Sequence, residues 1–212
     1  MRVFLTACFA AFLTFTPNLI ARSIVPTERV LPSIVKLTID SYGRTGHCTA
    51  FSINQLKALY LTAGHCVEPT YTLSVDGFPV TVLKVDSTQD IALIRILRFH
   101  KPALKLGESP NVGEIMIGFG WGMDAPSIMF FPGYIISLAL DPFQGYELQG
   151  LRMIFSTNFM PGMSGGPITN GDGRLISLVQ CGGMPGSFYH LVGCGARYTY
   201  IARMINESQS VK

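Results

Sequence analysis

Three short segments carry side chains that could do chemistry together. The first, Leu61-Thr62-Ala63-Gly64-His65-Cys66, ends an apolar run in small residues and then presents a histidine. The second, Gln89-Asp90-Ile91-Ala92-Leu93-Ile94, places one acid before a buried-type apolar run. The third, Pro161-Gly162-Met163-Ser164-Gly165-Gly166-Pro167, sets a serine in a glycine-rich turn. A serine hydroxyl is a poor nucleophile near neutral pH and needs a neighbouring base. Histidine suits that task, and a carboxylate must hold the imidazole in the right tautomer and stabilise its cation. Backbone N–H groups must meet the oxyanion that forms, and glycines let the chain turn so that those groups converge. His65 as base, Asp90 as its orienting acid, Ser164 as nucleophile and the N–H groups of Gly162 and Ser164 as oxyanion hole fill these roles. The remaining histidines, His47, His100 and His190, have no such setting.

Placing these residues requires a scaffold rich in strands. The chain has 212 residues, 48% apolar and 14% charged, which excludes a disordered chain. Its 22 glycines and 13 prolines indicate many turns. Short apolar segments recur between turn residues: Ser33 to Ile39, Cys48 to Ile53, Ala58 to Thr62, Tyr71 to Val75, Phe78 to Val85 and Ile91 to Leu97. A second set runs Gly113 to Gly118, Gly133 to Leu140, Leu151 to Ser156, Gly166 to Thr169, Arg174 to Gln180 and Ala196 to Tyr200. Between them, His100 to Asn111 reads as a connection across the surface. One helix is expected, from about Tyr200 to Glu207, where Ile201, Met204 and Ile205 share a face.

Arg2, the apolar stretch Val3 to Phe15, Pro17, Asn18 and Ala21 together read as a secretory signal peptide over residues 1–21. The run is shorter than a bilayer span requires, so no stable membrane span is expected, and a retained anchor is the lesser alternative. The expected setting is secreted or periplasmic. Beyond the leader stand Cys48, Cys66, Cys181 and Cys194, an even number that fits disulfides in an exported protein. Four cysteines allow three pairings, and spacing alone does not choose among them. No pair has the short spacing that structural zinc favours, so no metal is expected, nor any other cofactor. The net charge of +3 without a Lys or Arg run gives no nucleic-acid footprint.

In these three motifs the chain resembles the chymotrypsin-like serine protease family, over about residues 30 to 205. The resemblance implies an all-β fold of two six-stranded antiparallel barrels with a short C-terminal helix. The peptidase domain would span 22–212, with a first barrel at about 30–100 and a second at about 112–205. It implies a serine endopeptidase acting on protein or peptide substrates through an acyl-enzyme. It also implies a Cys48–Cys66 disulfide, with Cys181 and Cys194 bracing the pocket. Asn158 would lie at the base of the S1 pocket, and Val179 and Gln180 on the strand beside bound substrate. Trypsins carry an Asp where Asn158 stands, so cleavage after Lys or Arg is not expected. Digestive members place an acid before the nucleophile to receive a freed N-terminus; here that residue is Met163. The turn is more similar to HtrA-type, glutamyl-specific and viral members. The competing reading is a catalytically silent homologue that serves as a secreted binding protein.

Overall fold

The structure, a computed structural model, describes residues 26–123, 125–140, 151–182 and 192–211. The leader expected at 1–21 and His190 lie outside the described residues. A first sheet is built from β1 (Ile34–Ser41), β2 (Arg44–Asn54), β3 (Leu59–Ala63), β4 (Thr72–Val75), β5 (Phe78–Pro79), β6 (Thr81–Asp86) and β7 (Ile91–Arg95). Its spatial order is β5-β4-β1-β2-β3-β7-β6. The expected run Phe78 to Val85 is thus two strands, on opposite edges of the sheet, with only Val80 between them. Pro79 has no N–H to extend the ladder, which breaks the run. Because one residue separates the two edges, the sheet must curl until they meet. The first lobe is therefore seven-stranded and closed by the chain, where six strands closed into a barrel were expected.

The second sheet is a closed six-stranded barrel in the order β10-β13-β12-β11-β8-β9. Its strands are β8 (Ile115–Trp121), β9 (Ile128–Leu140), β10 (Arg152–Phe155), β11 (Pro167–Asn170), β12 (Leu175–Cys181) and β13 (Gly193–Gly195). The segment read as a strand from Ala196 to Tyr200 is instead the approach to a helix, α2 (Tyr198–Ser208), preceded by a four-residue helical turn near the start, α1 (Thr27–Val30). Tyr198, Thr199 and Tyr200 favour strands individually. The apolar stripe of Ile201 and Met204, both buried, prevails because the helix packs it on the core.

α2 follows the second lobe in sequence and packs against both lobes, with several polar ties to the first. Arg203 pairs with Asp86 at 2.9 Å and Lys84 with Glu207, whose carboxyl is held below its ordinary range chiefly by that hydrogen bond. Lys57 Nζ donates to the carbonyls of Gln209 and Val211 at 2.7 and 2.8 Å. The connection between lobes is equally anchored: Leu104 N donates to Ser52 O, and Gly107 N to Leu175 O. β3 is buried along its whole length, as is β7 except Arg95, so the strands that lead to His65 and away from Asp90 lie in the core. Each fully buried Leu or Ile there contributes about 1.5–3 kcal/mol of hydrophobic stabilisation.

Candidate active site

β3 ends at Ala63, and one 3-10 turn, Gly64–Val67, presents His65. Disulfide Cys48–Cys66 ties that turn to β2, closing a separation of 18 residues. By loop entropy such a link contributes on the order of 3 kcal/mol. Cys181–Cys194 links β12 to β13 in the second lobe. Both bonds are the local pairings.

Asp90 holds His65 at two points. Its Oδ1 accepts from the His65 backbone N–H at 2.7 Å, and Oδ2 lies 2.9 Å from His65 Nδ1. An imidazole nitrogen facing a carboxylate carries the proton, which leaves Nε2 as the acceptor. The Asp90 side chain is 3% exposed and that of His65 37%, so the carboxylate is dry while the imidazole reaches solvent. Gly64 permits this approach: a Cβ there would meet Asp90 Oδ1 at 3.0 Å and its backbone at 3.1 Å.

The turn bearing Asp90 is gripped by the second lobe. Gln180 Nε2 donates to the carbonyls of Gln89 and Asp90, at 2.5 and 2.9 Å. Arg152, wholly buried on β10, donates from Nη2 to Thr88 O at 3.3 Å. Three successive carbonyls of a first-lobe turn therefore accept from second-lobe side chains. The Gln180 side chain thus faces the Asp90 turn, a contact the sequence reading did not include. Val179 is buried in the second-lobe core, its N–H and C=O bonded to Gly166 and Gly165. Asn158 stands exposed beside Gly182.

Ser164 is half-buried, and its carbonyl oxygen lies 3.9 Å from the sulfur of Cys66, the residue after His65. The third motif is thereby brought against the first. Gly162 and Gly165 take φ of +89° and +82°, a region that L side chains rarely adopt. A Cβ on Gly165 would also collide with Thr49 O and Thr62 Oγ1 on the first lobe. Two peptide carbonyls fix the direction of the key N–H groups. Pro161 O accepts from Met123 N at 2.8 Å, and Met163 O from Gly166 N at 2.8 Å. In a trans peptide the N–H points opposite to the C=O, so the Gly162 and Ser164 N–H groups face away from those bonds. Among the described residues neither donates to another protein group.

Sequence reasoning missed two neighbours. Thr49 donates from Oγ1 to Gly162 O at 2.9 Å. His47 was set aside, yet its enclosed Nε2 faces Gly162 and has no hydrogen-bond partner among the described residues. A surface cleft of about 690 Å³ runs from His65 past Cys48 and His47 to Arg44 and Tyr42. Both residues lie on β2, more than a hundred positions from the turn they meet, and no local pattern reports such a contact.

Residues 48–178 match the family model of the trypsin-like peptidase domain. The chain belongs to that family. Its domain is of the compact chymotrypsin-like kind. Non-structural polyproteins 1A and 1AB of Mink astrovirus 1 are 28% identical to it over 162 residues, 73% of this chain. The chain spans only 16% and 10% of those polyproteins. Among solved structures, the HtrA-type protease AlgW with tripeptide superposes with a TM-score of 0.72 at 18% identity, over 86% of this chain and 61% of that one. The active form of the Rv3671c protease from M. tuberculosis gives 0.70 at 19% identity, over 92% and 88%. At these identities the likeness is one of fold. This trypsin-like peptidase has Met163 wholly buried where digestive relatives carry an acid.

Proposed function

We propose that this trypsin-like peptidase is a serine endopeptidase that hydrolyses peptide bonds through an acyl-enzyme. His65 would be the base, Asp90 its orienting acid and Ser164 the nucleophile. The observation that carries the reading is the two-point hold of Asp90 on His65, which directs Nε2 outward as a proton acceptor. Ser164 Oγ attacks the scissile carbonyl while its proton passes to His65 Nε2. The oxyanion meets the N–H groups of Gly162 and Ser164. Collapse breaks the C–N bond, and the imidazolium returns the proton to the leaving amine. Water then repeats the sequence and frees the serine. Asn158 would floor the S1 subsite, and the backbone from Leu178 to Gly182, at the end of β12, would flank the substrate.

The two disulfides are compatible with an oxidising compartment. Among the described residues no helix is long and apolar enough to cross a membrane. Residues 1–21 would direct export to the periplasm or outside the cell.

The test is labelling with a fluorophosphonate, followed by cleavage of an unbiased peptide library. Wild type should label at one serine, and Ser164→Ala should lose both labelling and cleavage, about a millionfold in kcat. Absence of labelling in folded wild type would identify a silent, binding homologue instead.

A further inference from the structure

We propose that Thr49 is the positioning residue that holds the oxyanion turn from the opposite lobe, in the place where digestive relatives use an acid. The proposal rests on the endopeptidase reading above. Thr49 is fully buried on β2, and every polar group it owns is engaged. Its Oγ1 donates to Gly162 O at 2.9 Å and accepts from Trp121 N at 2.9 Å. Its N–H donates to Ser164 O at 2.8 Å, and its C=O accepts from Thr62 Oγ1 at 2.8 Å. One first-lobe residue thus grips the carbonyls of the two residues whose N–H groups form the hole, and joins them to β8 and β3.

The need for such a grip follows from the turn itself. Gly162 has φ of +89°, and a glycine rotates its flanking peptides with little steric resistance. Met163 offers only apolar packing between Gly162 and Ser164. Met123 N fixes the peptide before Gly162 and Gly166 N the peptide before Ser164. The peptide after Gly162 is held by Thr49 Oγ1 at its carbonyl and by Met160 O at the Met163 N–H. The peptide after Ser164 is held by Thr49 N–H at its carbonyl and by Val179 O at the Gly165 N–H. Losing the hydroxyl strands Gly162 O and Trp121 N inside the lobe interface, and rotation at Gly162 relieves that. Such a rotation moves a hole donor away from the oxyanion while leaving β12 and its ground-state contacts with substrate in place. Loss of a donor that acts only in the transition state lowers kcat and spares KM.

The experiment compares wild type, Thr49→Val and Thr49→Ser as the full chain. Steady-state kinetics use a peptide substrate from the library. Fluorophosphonate labelling rate, affinity for a peptide boronic acid and thermal midpoint are read on the same samples. For Thr49→Val we expect kcat to fall about 10- to 100-fold, short of the roughly 100- to 1000-fold that follows outright loss of an oxyanion donor, with KM inside about twofold. Labelling rate and boronate affinity should fall with kcat. Thr49→Ser keeps the hydroxyl and should recover most of the kcat, even if its midpoint drops through the lost methyl. If Thr49→Val yields no folded protein, Thr49→Ala takes its place, because it removes the same hydroxyl with a smaller side chain. Equal kcat in wild type and the folded variant overturns the proposal and leaves the endopeptidase standing. So does a Thr49→Ser as impaired as Thr49→Val, or a loss shared equally by kcat and KM. Folded wild type that does not label overturns both readings together.

Discussion

Asp90 combines a strained backbone with a buried charge. Its φ of +52° lies in the left-handed region, where a residue with a Cβ costs about 1 kcal/mol or more. The same geometry turns its carboxylate back to receive both the His65 backbone N–H and Nδ1. The residue is thus a positioning device as well as a counter-charge. Asp90→Asn keeps the size but offers an NH₂ to one of these donors, and the imidazole then holds its proton on the wrong nitrogen. We expect kcat to fall about 10⁴-fold with the fold retained, as measured on active-site-titrated protein.

At the level of elements, the acid's turn and the second lobe share one buried joint. Gln180 reaches from β12 to the Gln89 and Asp90 carbonyls, while its own Oε1 has no partner among the described residues. That asymmetry separates two substitutions of similar size. Gln180→Leu removes two donors and one unpaired acceptor, and should cost about 1–3 kcal/mol. Gln180→Glu sets a buried carboxylate against two carbonyl oxygens, and should cost several kcal/mol or take up a proton. Urea midpoints at neutral pH should therefore rank wild type above Gln180→Leu, and that above Gln180→Glu. The reverse order of the two variants would mean that the joint does not depend on donation from Gln180. This joint also marks the limit of what the sequence shows. Runs such as Ile91 to Leu97 and Arg174 to Gln180 were readable as strands because their apolar content follows from burial within each lobe. The three motifs were readable because Ser164, His65 and Asp90 each sit in a distinctive local turn. Gln180 was read only as a pocket residue, because its partner lies about ninety positions away. The Tyr198 helix was partly misread for a related reason: β-favouring side chains gave way to tertiary packing of Ile201 and Met204.

For the whole molecule, the question is how the turn from Pro161 to Gly165 stays formed with Met163 between Gly162 and Ser164. Digestive relatives pair a buried acid at that position with a new α-ammonium. Here Met163 is fully buried in the second-lobe core beside Phe159 and Val179, and an unpaired ammonium brought there would cost several kcal/mol. The start of the described chain lies elsewhere: Pro26 rests against Gly173 in the β11–β12 hairpin, and Val30 is in the first-lobe core cluster. The turn is instead held by Met123, Gly166 and Thr49, none of which requires a free N-terminus. Activity should then be indifferent to what precedes about residue 22. The measurement compares protein beginning near Arg22 with the same protein carrying a short non-cleavable extension, both titrated for active serines. Equal titres and equal kcat/KM are expected. An extended form that stays silent until trimmed would show that a freed terminus does reach the turn, and would assign Met163 a site for it that the present packing does not contain.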